Sequence, residues 1–372
     1  ESTPSVTNWQ GISRPKRPGV HVLSSLQAIA HGSNSVQYFQ WRQSRGGEEK
    51  FHSAVVSLGG EADTRAFQEV SAAGELLDCL QPLVESNNRA EVALIYDYHN
   101  EWALDLAQLP RSEEKNYQGR CVAHYQPLWG QGITVDIINS TFADLSDYKL
   151  IVAPMLYMLQ EGVAERLSSF VESGGTIVTT YLTGMVDQSD LVFLDGTPGP
   201  LTELLGISIA ESDMLFDHHQ QSIKMVGELL PGSNYAANQY ADVVQLQGAE
   251  ALAAYEGEFY AGSAAVTVNR FGRGRAYYLA ARYDDHFLAD FYAWLGEELA
   301  LERAAAQTLP RGVSGQIRES ATEKYLFLLN FNPLPQSIKP LDPAYVDAIS
   351  EGEIAGEIAL SGYGFRILKH TK

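Results

Sequence analysis

The chain has 372 residues, 45% of them hydrophobic, which is enough for two or three packed domains and excludes a largely disordered protein. No run of about 18 apolar residues occurs, so we expect no membrane-spanning segment and no membrane partner. Asp and Glu number 46 against 26 Lys and Arg, and the net charge of −20 disfavours nucleic acid and anionic lipid. No signal peptide is visible, and we expect a bacterial, cytoplasmic protein.

Residues 1–88 are predicted to be α/β. A helix is expected over Pro18–Ala30 and a short strand, rich in β-branched and aromatic residues, over Ser35–Trp41. A polar loop, Arg42–His52, follows, and Thr64–Val84 has the apolar spacing of an amphipathic helix. These elements are too few to close a sheet by themselves.

Residues 89–306 are predicted to form an open, doubly wound domain with a buried, mostly parallel sheet, because short apolar strands alternate with helices. The Gly174–Gly175 pair is the expected end of one helix. The predicted strands are Glu91–Tyr96, Ile133–Ile138, Leu150–Pro154, Thr176–Tyr181, Ala264–Val268 and Ala276–Ala280, and the predicted helices are Tyr117–Gly130, Gly162–Ser173 and Asp284–Leu301.

Residues 307–372 lose the helical period and are predicted to form a small antiparallel β domain, a sandwich or a barrel. Strands are expected over Val313–Arg318, Tyr325–Phe331 and Phe365–Leu368, with the Pro-rich stretch Asn332–Pro343 as a loop.

Most motifs in the chain favour structural roles. The glycines at 272–274 precede a strand, so they indicate a hairpin turn and not a dinucleotide-binding loop. Cys121 falls inside a predicted helix, where a buried structural thiol is expected. His218–His219 and Asp284–His286 lack a second pair at metal-ligand spacing. We therefore predict no metal site and no cofactor, and no elbow with a Cys/His pair for amidotransferase or α/β-hydrolase chemistry.

The first 52 residues contain a different combination. Glu48, Glu49 and His52 follow the predicted strand Ser35–Trp41. In a (β/α)8 barrel, catalytic groups lie at the carboxyl ends of strands and in the loops that follow them. Because polar loops are common, this composition alone does not decide between a site and a surface loop.

Five segments carry a resemblance to a known family: Glu1–Trp9 (ESTPSVTNW), Tyr38–Gly46 (YFQWRQSRG), Glu49–His52 (EKFH), Tyr148–Tyr157 (YKLIVAPMLY) and Phe170–Tyr181 (FVESGGTIVTTY). They resemble glycoside hydrolase family 42 β-galactosidases, and the resemblance covers nearly the whole chain. The first three resemble the end of the seventh strand of the family's catalytic barrel and the eighth strand with its loop. The last two resemble its trimerisation domain, an amidotransferase-like (flavodoxin-like) α/β fold without amidotransferase chemistry.

The resemblance implies a role for each matching residue. Glu1 matches the catalytic nucleophile, whose carboxylate attacks the anomeric carbon. Trp9 matches an aromatic wall of the galactose subsite, and Glu49 and His52 match residues that hydrogen-bond galactose hydroxyls. Phe39 matches an aromatic residue at the pocket floor and could equally belong to the barrel core.

A retaining glycosidase also needs an acid/base carboxyl group, about 5–5.5 Å from the nucleophile. In the family this Glu ends the fourth strand, and we expect it in an N-terminal barrel portion missing from this chain. The expected protein is therefore a retaining β-galactosidase acting on terminal β-D-galactosides, a homotrimer through its middle domain, with this chain alone incomplete. The alternative is an inactive C-terminal fragment that serves as an oligomerisation module.

Overall fold

The computed structural model describes residues 2–227, 229–230, 234–305, 308–339, 345–354 and 356–371. Its contacts separate two compact units. The first unit comprises Glu1–Arg89, Trp129–Thr134 and Arg303–Lys372, and the second comprises Ala90–Leu128 and Val135–Glu302.

The α-helices of the described residues are α1 (Val20–Ala30), α2 (Arg65–Cys79), α3 (Tyr98–Leu106), α4 (Tyr117–Gly130), α5 (Val163–Glu172), α6 (Thr202–Leu205) and α7 (Asp285–Glu298), with short 3₁₀ helices at Glu48–Phe51, Gln81–Glu85 and Gly199–Leu201. Five of them agree with the apolar spacing of the sequence, whereas α3 and α6 were not predicted. Thr64 caps α2 by accepting a hydrogen bond from the Phe67 amide at 3.3 Å, and Asp284 caps α7 through the Phe287 amide at 2.8 Å. None of these helices is both long and apolar enough to cross a membrane.

The strands include several that the sequence did not predict. They are β1 (Val92–Ile95), β2 (Val135–Ile138), β3 (Leu150–Ala153), β4 (Met158–Leu159), β5 (Thr176–Thr180), β6 (Val186–Asp187), β7 (Ile207–Met214), β8 (Gln221–Met225), β9 (Asn234–Leu246), β10 (Glu250–Tyr255), β11 (Ala264–Phe271), β12 (Gly274–Leu279), β13 (Ala281–Tyr283), β14 (Val313–Glu319), β15 (Glu323–Asn330), β16 (Gln336–Ile338), β17 (Val346–Asp347), β18 (Ile358–Leu360) and β19 (Phe365–Thr371).

The second unit is built on one large mixed sheet. Its parallel part has the order β2–β1–β3–β5–β12, the arrangement of flavodoxin-like doubly wound domains. Helices cover both faces: Tyr278 of β12 lies in the core formed with α5 and α6, whereas the neighbouring Tyr277 packs edge-on against Phe291 and Trp294 of α7. Alternate residues of one strand therefore serve opposite layers.

The expectation of a mostly parallel sheet is wrong. From β12 outward the sheet continues antiparallel through β11, β10, β8, β9 and β13, with β7 also paired to β9. The sequence showed β11 and the hairpin at 272–274, in which Phe271 pairs with Gly274, but not β7 to β10. Their apolar residues alternate with polar ones, as in β8, whose burial alternates along its length.

The end of α5 shows how a glycine ends a helix in this fold. Gly174 has φ +113°, a conformation that a side chain rarely adopts, and its amide donates to the Val171 carbonyl at 2.9 Å. The chain can then enter β5 directly. Val163, Leu167, Phe170 and Val171 form the buried face of the helix.

The C-terminal strands share a core with the N-terminal helices of the first unit, although the sequence predicted a separate domain over 307–372. The sheet β14–β15–β19–β17 is antiparallel, as expected. β16 lies inside the stretch Asn332–Pro343 predicted as a loop and pairs with β18, which lies beyond it. Tyr325 and Phe327 of β15 pack with Leu26 of α1, whereas Leu326 and Leu328 face the opposite core. The sheet is therefore buried on both faces, which joins these residues to α1.

The predicted strand Ser35–Trp41 is not a regular strand in the structure. Tyr38 forms an isolated parallel bridge with Ser2, and Arg42 forms another with Val56. Among the described residues, no longer ladder forms along this segment, and a strand requires such a ladder.

The second unit contains a buried carboxyl group whose titration can be tested. Asp242 in β9 accepts hydrogen bonds from Ser212 Oγ and Tyr278 Oη, both at 2.6 Å. Burial outweighs these bonds and raises the pKa of Asp242 from 3.8 to about 6. The folded protein therefore keeps this proton in a range of pH where the unfolded chain has lost it.

We expect Asp242 to make the protein less stable as pH rises from about 4 to about 6. Stability is lost over this window because the unfolded carboxyl ionises freely, and the pKa rise from 3.8 to about 6 corresponds to about 3 kcal/mol. In Asp242→Asn this fall should disappear, so its melting temperature relative to the parent should rise with pH. Calorimetric scans from pH 4 to pH 7 measure the difference, with the exposed Asp195→Asn as the control. If the melting temperatures of Asp242→Asn and the parent changed with pH in the same way, the raised pKa of Asp242 would be contradicted.

Candidate functional site

His52 is the centre of a polar cluster in the first unit. It follows the 3₁₀ helix Glu48–Phe51 and is fully buried. Its Nε2 lies 3.1 Å from Thr3 Oγ1 and its Nδ1 lies 3.3 Å from Asn8 Oδ1. The Asn8 amide nitrogen donates to the Glu48 carbonyl, which turns Oδ1 towards the ring. Nδ1 therefore carries the proton and Nε2 accepts from Thr3.

Glu49 lies beside the imidazole with an unused oxygen. Its Oε2 is 3.6 Å from His52 Nδ1, too long for a hydrogen bond. This oxygen is inaccessible to solvent and has no hydrogen-bond partner among the described residues, although the side chain as a whole is 38% exposed. A buried carboxylate oxygen without a donor is ready to accept a hydrogen bond from a ligand.

Two aromatic rings flank the imidazole. The Trp9 ring centroid lies 4.5 Å from that of His52, with the planes tilted by 33°, and Phe39 meets the same ring edge-on at 5.4 Å. Trp9 is 59% exposed, so much of the indole remains open. An open aromatic surface beside polar groups is suited to the apolar face of a sugar ring.

Backbone contacts bring these distant residues together. The Ser2 amide donates to the Gln37 carbonyl at 2.6 Å, and the Phe39 amide donates to the Ser2 carbonyl at 3.2 Å. The residue after His52 is held against the N-terminal segment, because the Ser53 amide donates to the Val6 carbonyl at 2.9 Å. Of the residues predicted for the site, Trp9, Phe39, Glu49 and His52 meet in one cluster, and Glu1 lies outside the described residues.

Sequence reasoning did not assign roles to Thr3 and Asn8, the two hydrogen-bond partners of His52. Asn8 precedes Trp9 in the segment that carries the resemblance, and this adjacency was the available signal. No motif in the sequence indicated a role for Thr3.

The described parts of both units offer no arrangement of three or more His, Cys, Asp and Glu side chains that could hold a metal ion. His218 and His219 are exposed, and their rings meet edge-on with centroids 4.2 Å apart.

In the described part of the second unit, the turn after β3 is where a nucleophile elbow would lie, and it holds no nucleophilic side chain. Met155 occupies the turn after β3 with φ +44°, and its thioether cannot act as a hydrolytic nucleophile. Cys121 is buried, with Sγ 4.0 Å from the Ile95 carbonyl, and burial raises the pKa of its thiol to about 12. A thiol with this pKa is unreactive at neutral pH.

Comparison with known proteins agrees with the division of the chain. Residues 90–302 match the family model described as the β-galactosidase trimerisation domain, and residues 1–80 match the model described as β-galactosidase. The chain belongs to glycoside hydrolase family 42. A β-galactosidase from Alicyclobacillus acidocaldarius is 46% identical over 371 residues, covering 99% of this chain and 54% of the relative.

Solved structures of family 42 enzymes show the same fold. The β-galactosidase from Rahnella sp. R3 has a TM-score of 0.95 at 46% identity, covering 100% of this chain and 54% of its own. The β-galactosidase from Bacillus circulans sp. alkalophilus has a TM-score of 0.95 at 36% identity, covering 99% of this chain and 54% of its own. The chain thus spans about half the length of the relatives it matches.

Proposed function

We propose that this chain is part of a retaining β-galactosidase that hydrolyses terminal, non-reducing β-D-galactosides. The observation that carries the proposal is the free, buried Oε2 of Glu49 beside His52, within the residues that match the β-galactosidase model. Glu49 accepts hydrogen bonds from galactose hydroxyls. His52, held by Thr3 and Asn8, fixes the geometry of that contact. To hydrogen-bond a galactose hydroxyl itself, the imidazole exchanges one of these two partners for the sugar.

The aromatic residues bind the apolar side of the sugar. Trp9 stacks on the C–H face of the galactose ring, and its open indole supports this role. Phe39 supports the imidazole from the other side, either at the floor of the pocket or in the core of the barrel.

Glu1 acts as the nucleophile in this proposal. Its carboxylate displaces the leaving group at the anomeric carbon, and water then hydrolyses the glycosyl-enzyme. Ser2 pairs in parallel with Tyr38, as the ends of adjacent barrel strands do, and this supports a barrel fragment over these segments. We place the acid/base carboxyl group in the part of the relatives' length that this chain does not span, so this chain alone should be inactive.

Glu49→Gln in the full-length protein tests the binding role. A neutral amide presents an N–H₂ or a weaker acceptor to the galactose hydroxyls, so kcat/KM for a nitrophenyl β-galactoside should fall about 10- to 100-fold. Glu48→Gln is the matched control, because Glu48 is exposed and only its carbonyl, which the substitution keeps, joins the cluster. Equal rates for the two variants would show that Glu49 does not bind the substrate.

The second candidate function is an oligomerisation module, favoured by the match of residues 90–302 to a trimerisation domain. In this case the isolated chain should sediment as a homotrimer, three times its 40.9 kDa mass, and should not hydrolyse galactosides. Sedimentation velocity over a concentration series measures the state. A monomer at every concentration would argue against assembly through this domain.

A further inference from the structure

Three hydrogen-bond donors meet at one edge of the sheet in the second unit. Tyr181 directly follows β5, Arg282 lies in β13 just after β12, and Arg120 lies in the first turn of α4. Strands β5 and β12 pair in parallel, so their carboxyl ends share this edge. Doubly wound sheets bind ligands outside the carboxyl ends of their strands.

None of these donors has an acceptor among the described residues. Tyr181 is only 3% exposed, and its hydroxyl makes no hydrogen bond. Nε of Arg120 and Nη1 of Arg282 are inaccessible to solvent and also lack a partner. Because buried polar groups are nearly always paired, three unpaired donors in one place point to an absent acceptor.

The neighbouring Arg111 shows how a paired arginine differs. Its Nη1 donates to the Leu215 carbonyl at 2.9 Å, and its Nη2 pairs with Asp217 and lies 3.7 Å from Glu114. Within the described part of the chain, Arg120 and Arg282 form no ion pair, although acidic residues outnumber basic ones by 46 to 26. Arg120 also lies at the positive end of α4, where an anion is favoured and a cation is not.

Strand β9 adjoins both Tyr181 and Arg282, because its Tyr240 stacks on Tyr181 and its Asn238 pairs with Arg282. Burial lowers the pKa of Arg282, the charge of Arg120 lowers it further, and the charge of Glu114 opposes this fall. Burial raises the pKa of Tyr181, and the charges of Arg120 and Arg282 both oppose that rise. Tyr181 also stacks on Tyr240 at 4.8 Å, with the rings tilted by 17°, which restrains the phenol.

We propose that Arg120, Arg282 and Tyr181 form a binding site for a small oxyanion, a carboxylate or phosphate group. Guanidinium N–H groups and a phenol O–H together supply hydrogen-bond donors and positive charge. Glu114, whose charge also acts on Arg282, lies 3.7 Å from Arg111 and accepts a hydrogen bond from Gln239. The site is independent of galactoside hydrolysis, so its test does not depend on the proposed function.

The test is a titration of the chain with sodium phosphate and, separately, with sodium malonate at constant ionic strength. The melting temperature of the parent should rise to a plateau with either anion, and calorimetry should give a saturable isotherm. Arg120→Gln/Arg282→Gln should bind at least about tenfold more weakly, since each substitution removes a charged hydrogen bond. Tyr181→Phe, which keeps the ring stacked, should bind several-fold more weakly.

Arg270→Gln is the matched control, because Arg270 is an exposed arginine of the same unit, and it should titrate like the parent. Absence of a saturable effect in the parent would overturn the proposal, as would an equal effect in the double variant. If neither anion binds and the double variant sediments as a smaller species than the parent, a carboxylate of a second copy satisfies the donors instead. That result would also overturn a site for a small anion.

Discussion

Replacement of Glu1 by Gln in the full-length protein is expected to lower kcat for a nitrophenyl β-galactoside by about a thousandfold or more. An amide cannot attack the anomeric carbon, so the glycosyl-enzyme cannot form. Both kcat and kcat/KM should fall, because the first chemical step is lost and binding by Trp9 and Glu49 is kept. Steady-state assays over a range of substrate concentrations separate the two constants.

The control for this prediction is Glu48→Gln, which removes a carboxylate from the same unit and should stay within a few-fold of the parent. A Glu1→Gln rate within a few-fold of the parent would falsify the nucleophile assignment. A loss confined to KM would assign Glu1 to binding and not to chemistry.

Replacement of Arg318 by Ala is expected to be the most destabilising single change in the first unit, by about 3–5 kcal/mol. Arg318 is 1% exposed, and its pKa is lowered by burial. The substitution removes the guanidinium donor from five oxygens, of which the Ile29 and Leu83 carbonyls keep other donors, and opens a cavity between β14 and α1. The guanidinium donates to the carbonyls of Ile29 (2.9 Å), Ser33 (3.0 Å), Leu83 (3.0 Å) and Ser86 (2.7 Å) and to Asn34 Oδ1 (2.9 Å).

Urea unfolding, followed by circular dichroism, measures this effect as a lower midpoint at unchanged slope. Arg366→Ala is the matched control, since its side chain is 50% exposed and lies 3.8 Å from Asp347, a contact of small value. Midpoints that fall by the same amount in both variants would show that the hydrogen bonds of Arg318 contribute little.

The local pattern of apolar residues was sufficient to predict several helices and buried strands. The predicted helix Tyr117–Gly130 coincides with α4, and the buried strands β1, β3 and β5 lie within a residue or two of their predicted bounds. In such segments, local apolar spacing and caps agree with the tertiary environment. The strands β7 to β10 were not predicted because they mix polar and apolar residues on an antiparallel extension of the sheet. Local pattern alone does not distinguish such segments from loops.

The cluster around His52 was predicted only in part from the sequence. The motifs in the sequence named Trp9, Phe39, Glu49 and His52 as belonging together, and the structure brings them into contact. Asn8 became visible as a partner only because the fold places it against a ring 44 residues away. Hydrogen bonds between distant segments depend on backbone pairing, here between Ser2 and Tyr38, which no local pattern specifies.

By itself, the sequence determined the family resemblance, five of the seven α-helices of the described residues and the parallel strands, because these depend on local apolar spacing and on contiguous motifs. Only the tertiary structure decided that β15 and β19 share a core with α1, that Arg318 lies buried beside it, and that Tyr181 and Arg282 both adjoin β9. The reason is physical: burial and pairing of a polar side chain depend on what packs against it, and those partners lie up to 289 residues away in the chain, as for Arg318 and Ile29.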